Sequence, residues 1–356
     1  MILAALAADA VGGRSFRTFR RIDGNPDIEI LHLWDESGDS FELLAPATQR
    51  GVAEQAQLVA TIGAVRKVAN ELPFATPELV GQTSDEDGNR VAVFTLLGGD
   101  EPDLARFTPG GFSASIGKAL ASIHSLDPAV VRESGLPELD ATAILHGKVA
   151  EVDRIAATGK VPSGLLSRWE KALEDVALYR FHPTVIHGSI NQDSLRLSGQ
   201  EISGVTNWSQ LSIGDPAEDL RYLAGGALQT TFEDTMLHYN SARPAADENV
   251  ATRAHLLAEI ELGSWLVYCL ENPDQGDLEN AEAMVNELQD QLDAETLRPL
   301  RAAGFIGLGA AAASASTAAQ PAAEPEVENE PETMAVDSDV EEPDFLSSDS
   351  ASDELF

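Results

Sequence analysis

Between Arg14 and Pro46, apolar and polar residues alternate in three short runs separated by turn-forming residues. Arg14 to Ile22 ends at the turn signal Asp23-Gly24-Asn25-Pro26. Asp27 to Trp34 places Ile28, Ile30 and His32 on one side, and after a second turn at Glu36-Ser37-Gly38-Asp39 the residues Phe41, Leu43 and Ala45 alternate. These runs predict a three-stranded meander. The period then changes: from about Ala47 to Asn70, the residues Val52, Ala56, Val59, Ile62 and Val65 recur at three- and four-residue steps, the spacing of one helix face. Alternation resumes in "ELVGQTSDEDGNRVAVFTLLGG", which predicts two strands around Asp85-Glu86-Asp87-Gly88. Beyond Gly98-Gly99 helical spacing dominates, with Ile116, Leu120 and Ile123 on one face and Leu165, Leu166, Trp169, Leu173 and Val176 on another. Ala251 to Leu270 and Asp277 to Leu292 predict two further helices. "PTVIHGS" and "LRLSGQEISGVTNW" interrupt them as a strand and a hairpin turning at Ser198-Gly199-Gln200.

The order of elements predicts an α+β fold in two lobes: a sheet-rich lobe over residues 1–97, a glycine hinge, and a mainly helical lobe over 98–300 that carries an isolated hairpin. That is a kinase-like layout. From Gly307 the chain reads "GLGAAAASASTAAQPAAEPEVENEPE", which cannot bury enough apolar surface to offset the entropy of ordering it, so 301–356 is predicted to be a disordered acidic tail. A second reading of this tail is a recognition segment, because Phe345, Leu346, Leu355 and Phe356 flank Ser347, Ser348, Ser350 and Ser352, where phosphorylation would add charge beside apolar anchors.

Charge narrows the function classes. The 356 residues carry 59 Asp+Glu against 23 Lys+Arg, a net −36, of which 13 negative charges lie in the tail beyond Arg301. Nucleic-acid binding draws its affinity from Lys and Arg, so a nucleic-acid partner is excluded, and anionic membrane surfaces are disfavoured. No strongly apolar run of 18 residues occurs and no basic segment precedes the short apolar N-terminus, so a soluble, cytoplasmic protein is expected. The single cysteine, Cys269, rules out an intrachain disulfide and reads as a core thiol. The seven histidines show no metal-ligand spacing, and His124 reads as a structural histidine.

"VIHGSINQDSLRL", followed by "ISGVTNWSQLSIGDPAEDLRYL", resembles the aminoglycoside phosphotransferase family of small-molecule kinases, whose pattern is H-G-D-x-x-x-x-N, then I/L-D-W, then G-D-P-x-x-D-L. "LPFATPELVG", "LGGD", "IGKALASIHSLD" and "VPSGLLSRWEKALEDVALYRF" extend the resemblance to about residues 1–300. It implies a kinase-like fold, with His187 and Gly188 shaping the catalytic loop and Asp215 bracing it through backbone hydrogen bonds.

The resemblance also shows what has changed. The family's catalytic Asp falls at Ser189, its two magnesium-binding positions at Ser194 and Asn207, and its phosphate-binding cation at Leu44 in "ELLAP". A serine hydroxyl has no useful basicity at neutral pH, and neutral Ser and Asn oxygens are poor substitutes for carboxylates on a hard cation. The expectation is therefore a pseudokinase that binds or regulates, needs no cofactor, and recognises an unidentified small molecule or protein. One alternative is an active phosphotransferase that uses ATP and magnesium through a rearranged site centred on Asp193 and Asn207. The other is a scaffold whose tail recruits a protein partner.

Overall fold

The computed structural model describes residues 2–23, 25–273 and 276–302, and the predicted tail lies outside them. Strands β1 (Phe16–Ile22), β2 (Ile28–Asp35) and β3 (Ser40–Pro46) form the meander, and β4 (Leu79–Ser84) and β5 (Arg90–Thr95) complete an antiparallel sheet in the order β1-β2-β3-β5-β4. A helix not expected from the sequence, α1 (Ile2–Ala10), covers one face. There Ala7 packs with Leu31, Leu33, Leu43, Val91 and Val93. Helix α2 (Gln49–Val68) covers the other face, where Ile62 and Val65 share a core with Leu44, Ala92 and Phe94. Because β3 alternates between these two apolar layers, Leu43 and Leu44 are both buried. The start of α2 is tied to β2 through Asp27. Thr48 Oγ1 donates to its carboxylate at 2.6 Å and Arg50 Nε at 2.7 Å, while Thr48 Oγ1 also accepts from Gly51 N as the N-cap.

Past β5 the chain crosses into the helical lobe. Asp100 N donates to Leu197 O at 3.0 Å and Leu197 N returns to Asp100 O at 2.8 Å. The glycine hinge has a steric reason, since Gly99 sits at φ 127° and a Cβ there would lie 2.7 Å from Leu197 O. The helical lobe begins with α3 (Gly111–His124), α4 (Ala129–Arg132), α5 (Ala141–Ala157) and α6 (Ser163–Glu174). Strand β6 (Thr184–Ile186) follows, then the hairpin β7 (Leu195–Ser198) and β8 (Glu201–Val205), and β9 (Ser212–Gly214), which pairs with β6. The lobe closes with α7 (Ala217–Gly226), α8 (Gln229–Ala242), α9 (Val250–Glu271) and α10 (Leu278–Asp293). Fully buried Trp169 centres a second core, where the Cys269 thiol is buried as expected among side chains of α5, α6, α9 and α10. No described helix is long and apolar enough to cross a membrane.

Helices α3 and α8 approach so closely that a Cβ at Gly117 would lie 2.6 Å from Thr235 O and 3.0 Å from Tyr239 N. Both are backbone atoms and cannot rotate away. Gly117→Ala is expected to destabilise the domain by about 1–3 kcal/mol through overpacking, although alanine favours helix. A denaturant midpoint equal to or above that of the natural chain would show that the two helices can separate at little cost.

Candidate functional site

The loop between β6 and β7 carries five of the residues singled out in the sequence, and its shape follows from local hydrogen bonding. Asn191 N-caps a short 3-10 turn, Gln192–Ser194: Ser194 N donates to Asn191 Oδ1 at 3.0 Å, and Asn191 N donates back to Ser194 Oγ at 2.9 Å. The fully buried Ser194 hydroxyl in turn donates to Asn191 O at 2.9 Å. Its proton and one lone pair are therefore committed within the loop. Gly188 needs its glycine: φ is 82°, and a Cβ would fall 2.6 Å from Gln210 O.

His187 is fully buried beneath the loop. Its Nε2 donates to Thr206 O at 2.8 Å, its Nδ1 accepts from Ser189 N at 3.3 Å, and its ring tilts against Trp208 with centroids 4.6 Å apart. Burial lowers its pKa, with Asp219 and the Thr206 carbonyl opposing that shift, so the imidazole is neutral. Its two ring bonds link Ser189 of the loop to Thr206, and Trp208 is core. A histidine depressed in the fold makes stability fall on acidification. Below about pH 6.5 the unfolded imidazole takes up a proton that the buried one refuses. Thermal midpoints between pH 7.5 and 5 are expected to drop, with a flatter profile in His187→Gln. A rise on acidification would contradict the neutral assignment.

Ser189 and Asn207 meet. Ser189 Oγ donates to Asn207 O at 3.2 Å, and Thr206 N donates to Ser194 O at 2.8 Å, so the structure brings together the three degenerate loop positions. Asn207 holds a left-handed backbone, φ 59° and ψ 46°, which Asn tolerates better than most residues. Its side-chain oxygen accepts from Ser209 Oγ at 3.4 Å. Asp193 is exposed. Its main-chain carbonyl accepts from Arg196 Nη1 and Thr206 Oγ1, while its carboxylate makes no hydrogen bond or ion pair among the described residues.

The brace of this loop is Asp219, which corrects the expectation for Asp215. Asp219 Oδ2 accepts from His187 N at 2.8 Å and Oδ1 from Gly188 N at 2.7 Å, while His124 Nε2 donates to Oδ2 at 3.0 Å. Tyr239 donates its hydroxyl to His124 Nδ1 at 2.8 Å and accepts from Arg243 Nη1 at 3.2 Å. A buried relay thus runs from Arg243 through Tyr239 and His124 to Asp219 and the loop. Burial works against the charge on Asp219, but the bonds from His124 and the nearby His187 outweigh it and hold the carboxyl below the usual range. The Asp215 carboxylate makes its hydrogen bonds elsewhere. It accepts Ala217 N at 2.9 Å at the start of α7 and pairs with the Arg253 guanidinium through bonds of 2.7 and 2.8 Å.

Leu44 lies on the sheet face that shares its core with the helical lobe, 4% exposed. In protein kinases the corresponding strand and the helix after it are joined by a Lys–Glu ion pair. Here buried Gln55 of α2 donates Nε2 to the main-chain oxygen of Leu44 at 2.7 Å. The Leu44 side chain itself packs into the core. No three His, Cys, Asp or Glu side chains converge to hold a metal among the described residues. Judged by donor chemistry, the residues at the family positions do not fit magnesium: Ser194 is committed to its loop, Asn207 offers a neutral oxygen, and Ser189 a hydroxyl.

Beside Gly188 opens a cavity of about 380 Å³ between α5, the β6–β9 pair and the start of α7. Ile144, Ile186 and Ile213 supply apolar lining, and Lys148 bridges Glu151 and Glu218 at 3.0 Å each.

A model of the phosphotransferase enzyme family, APH, matches residues 9–254, most of the described chain. The chain belongs to this family. Solved phosphotransferase structures resemble it throughout the fold. Macrolide 2'-phosphotransferase MphH from Brachybacterium faecium, as the apoenzyme, aligns with TM-score 0.67 and 19% identity over 80% of this chain and 97% of its own. The macrolide 2'-phosphotransferase type I aligns with TM-score 0.65 and 20% identity over 80% and 95%. The GDP and kanamycin complex of APH(2")-IIia aligns with TM-score 0.63 and 16% identity over 82% and 98%. At these identities the likeness establishes the fold, which is kinase-like as the order of elements predicted. Comparison with curated proteins gives no match. Two features of this family member escaped the sequence reading, the Asp219 brace and the Gln55–Leu44 bond. The second Asp of "GDPAEDL" was the available signal for the first, whereas nothing marked Gln55.

Proposed function

We propose that this phosphotransferase-family chain is a pseudokinase, a binding or regulatory module that has lost phosphoryl transfer. The observation that carries the reading is Leu44 itself: where a kinase grips phosphate with a cation, an apolar side chain 4% exposed packs into the core. The loop adds to it. Loss of a general base alone costs about 10² to 10⁴ in rate, and parts that act as a unit fail together. The binding function is assigned to the cavity beside Gly188, whose mixed apolar and charged lining suits a small molecule. Because similar structures are macrolide and aminoglycoside phosphotransferases, macrolides and amino sugars are the first ligands to test.

The second reading, an active enzyme with a rearranged metal site, draws on one observation. Asp193 is exposed, its carboxylate has no hydrogen-bond or ion-pair partner among the described residues, and its main-chain oxygen accepts from Thr206, the residue before Asn207. Substitution separates the two. The natural chain is expected to show no ATP turnover with a panel of macrolides, aminoglycosides and amino alcohols. Ser189→Asp, Ser194→Asn and Asn207→Asp together are expected to remain silent until Leu44→Lys and Gln55→Glu are added. Turnover by the natural chain, lost in Asp193→Ala, would establish the second reading instead.

A further inference from the structure

Strand β1 is an outer strand of the five-stranded sheet and pairs only with β2. Among the described residues none of its backbone groups bonds outside that pair, and Arg17 to Arg21 are all exposed, so one edge presents open N–H and C=O groups. The charge of this strand is unlike that of the chain. Residues 14–22 hold four arginines and no acidic residue, although the net charge is −36. Arg14 pairs with Asp35 and Asp39 at 2.7 and 3.0 Å, and Arg21 lies 3.5 Å from Glu29 and 3.9 Å from Asp23. Arg17 and Arg20 make no ion pair or hydrogen bond among the described residues. Between them Phe19 is 53% exposed.

The register fixes the two faces of the strand. Arg20 stands opposite His32 with Thr18 and Ile22 on its face, Phe19 stands opposite Leu33 on the other, and a bulge falls at Arg17, between Phe16 and Thr18. Bulges and charges on an edge strand commonly guard it against pairing. A guard made of arginine alone is selective. It repels a basic strand and leaves a neutral one with cations to desolvate, whereas an acidic strand meets opposite charge at each position. The exposed ring of Phe19 adds apolar area that protection does not require. A second copy of β1 would set arginine against arginine. Nucleic acid and anionic membranes meet the net negative charge, and neither supplies amide groups in strand register.

We infer that the β1 edge is a docking strand for an extended acidic segment of a partner protein, which joins the sheet through main-chain hydrogen bonds, sets carboxylates against Arg17 and Arg20, and lays an apolar side chain on Phe19. The inference is independent of the pseudokinase reading. The probe is a labelled peptide, Glu-Val-Glu-Val-Glu-Val-Glu with blocked ends, titrated into the full chain at pH 7.5 and low salt and followed by fluorescence anisotropy. Saturable binding is expected, roughly tenfold or more tighter than for the N-methylated peptide, which keeps every charge but has no amide donors. Arg17→Glu with Arg20→Glu is expected to abolish binding, and Phe19→Ser to weaken it. All three side chains are exposed, and circular dichroism confirms that each variant is folded. The proposal is overturned if the peptide does not bind, if the N-methylated form binds equally well, or if affinity survives the double charge reversal or is unchanged in Phe19→Ser. Equal or tighter binding of single-stranded DNA or of phosphatidylserine vesicles would overturn it as well.

Discussion

Asp219→Ala is expected to cost about 3–5 kcal/mol of folding stability, the range for removing one partner from a buried charged network. The carboxylate is fully buried and accepts three bonds, from His187 N, Gly188 N and His124 Nε2. Alanine leaves two buried amide donors and an imidazole N–H without acceptors, and their desolvation is no longer compensated. Domain stabilities are commonly about 5–15 kcal/mol, so a large part of the total depends on this residue. Asp219→Asn keeps the shape but offers only one acceptor oxygen, and it is expected to fall between the two. The sign of the pH dependence follows from the depressed carboxyl. The contribution is present above the unfolded value, near 3.9, and is lost as pH falls through the lower folded value. Urea unfolding of the three proteins at pH 7.5 checks the order. A loss below 1 kcal/mol would mean that the loop holds itself without the brace.

Arg253 carries the second large effect, for a related reason. Its side chain is 1% exposed, donates to Asp215 at 2.7 and 2.8 Å and to Asp247 at 2.8 and 3.1 Å, reaches Leu178 O at 2.9 Å, and lies 4.0 Å over the Phe181 ring. Burial opposes the charge, and the two carboxylates more than compensate. Arg253→Met is expected to cost about 3–5 kcal/mol because it strands Asp215, 3% exposed, beside an apolar side chain. Arg253→Lys is expected to recover only part of this, since an ammonium cannot reproduce the fork across two carboxylates. The informative variant is the double one: with Asp215→Asn added to Arg253→Met, the stranded charge disappears and the summed loss should shrink. Simple additivity of the two single losses would contradict the direct pairing.

Much of this architecture was legible in the chain. Strands with a turn signal at each end and helices with long three-four spacing lie where their patterns placed them, because one buried face per element leaves a period in the sequence. What escaped has physical reasons. "ILAALAADA" is apolar almost throughout, so α1 shows no face, and β9 has three residues, too few for alternation. The degenerate positions came from the resemblance to the family's motif, and in the structure Ser189 bonds Asn207 while Ser194 bonds Thr206. The roles of the two aspartates in "GDPAEDL" could not be read in the chain. Either one suits a helix start, and the choice depends on partners distant in sequence, Gly188 for Asp219 and Arg253 for Asp215. Gln55 was silent for the same reason. A glutamine within a helix carries no local signature, and its bond to Leu44 exists only once α2 lies against β3.

The claim that decides the account is the loss of phosphoryl transfer, and it depends on the nucleotide. Purified full-length protein is titrated with ATP at millimolar magnesium, and ADP release is then followed in the presence of macrolide and aminoglycoside acceptors. A silent family member gives no saturable magnesium-dependent ATP binding and no ADP above the buffer rate, with or without acceptor. Saturable binding accompanied by turnover that vanishes in Ser189→Ala or Asp193→Ala would contradict the account and show that the loop still performs chemistry.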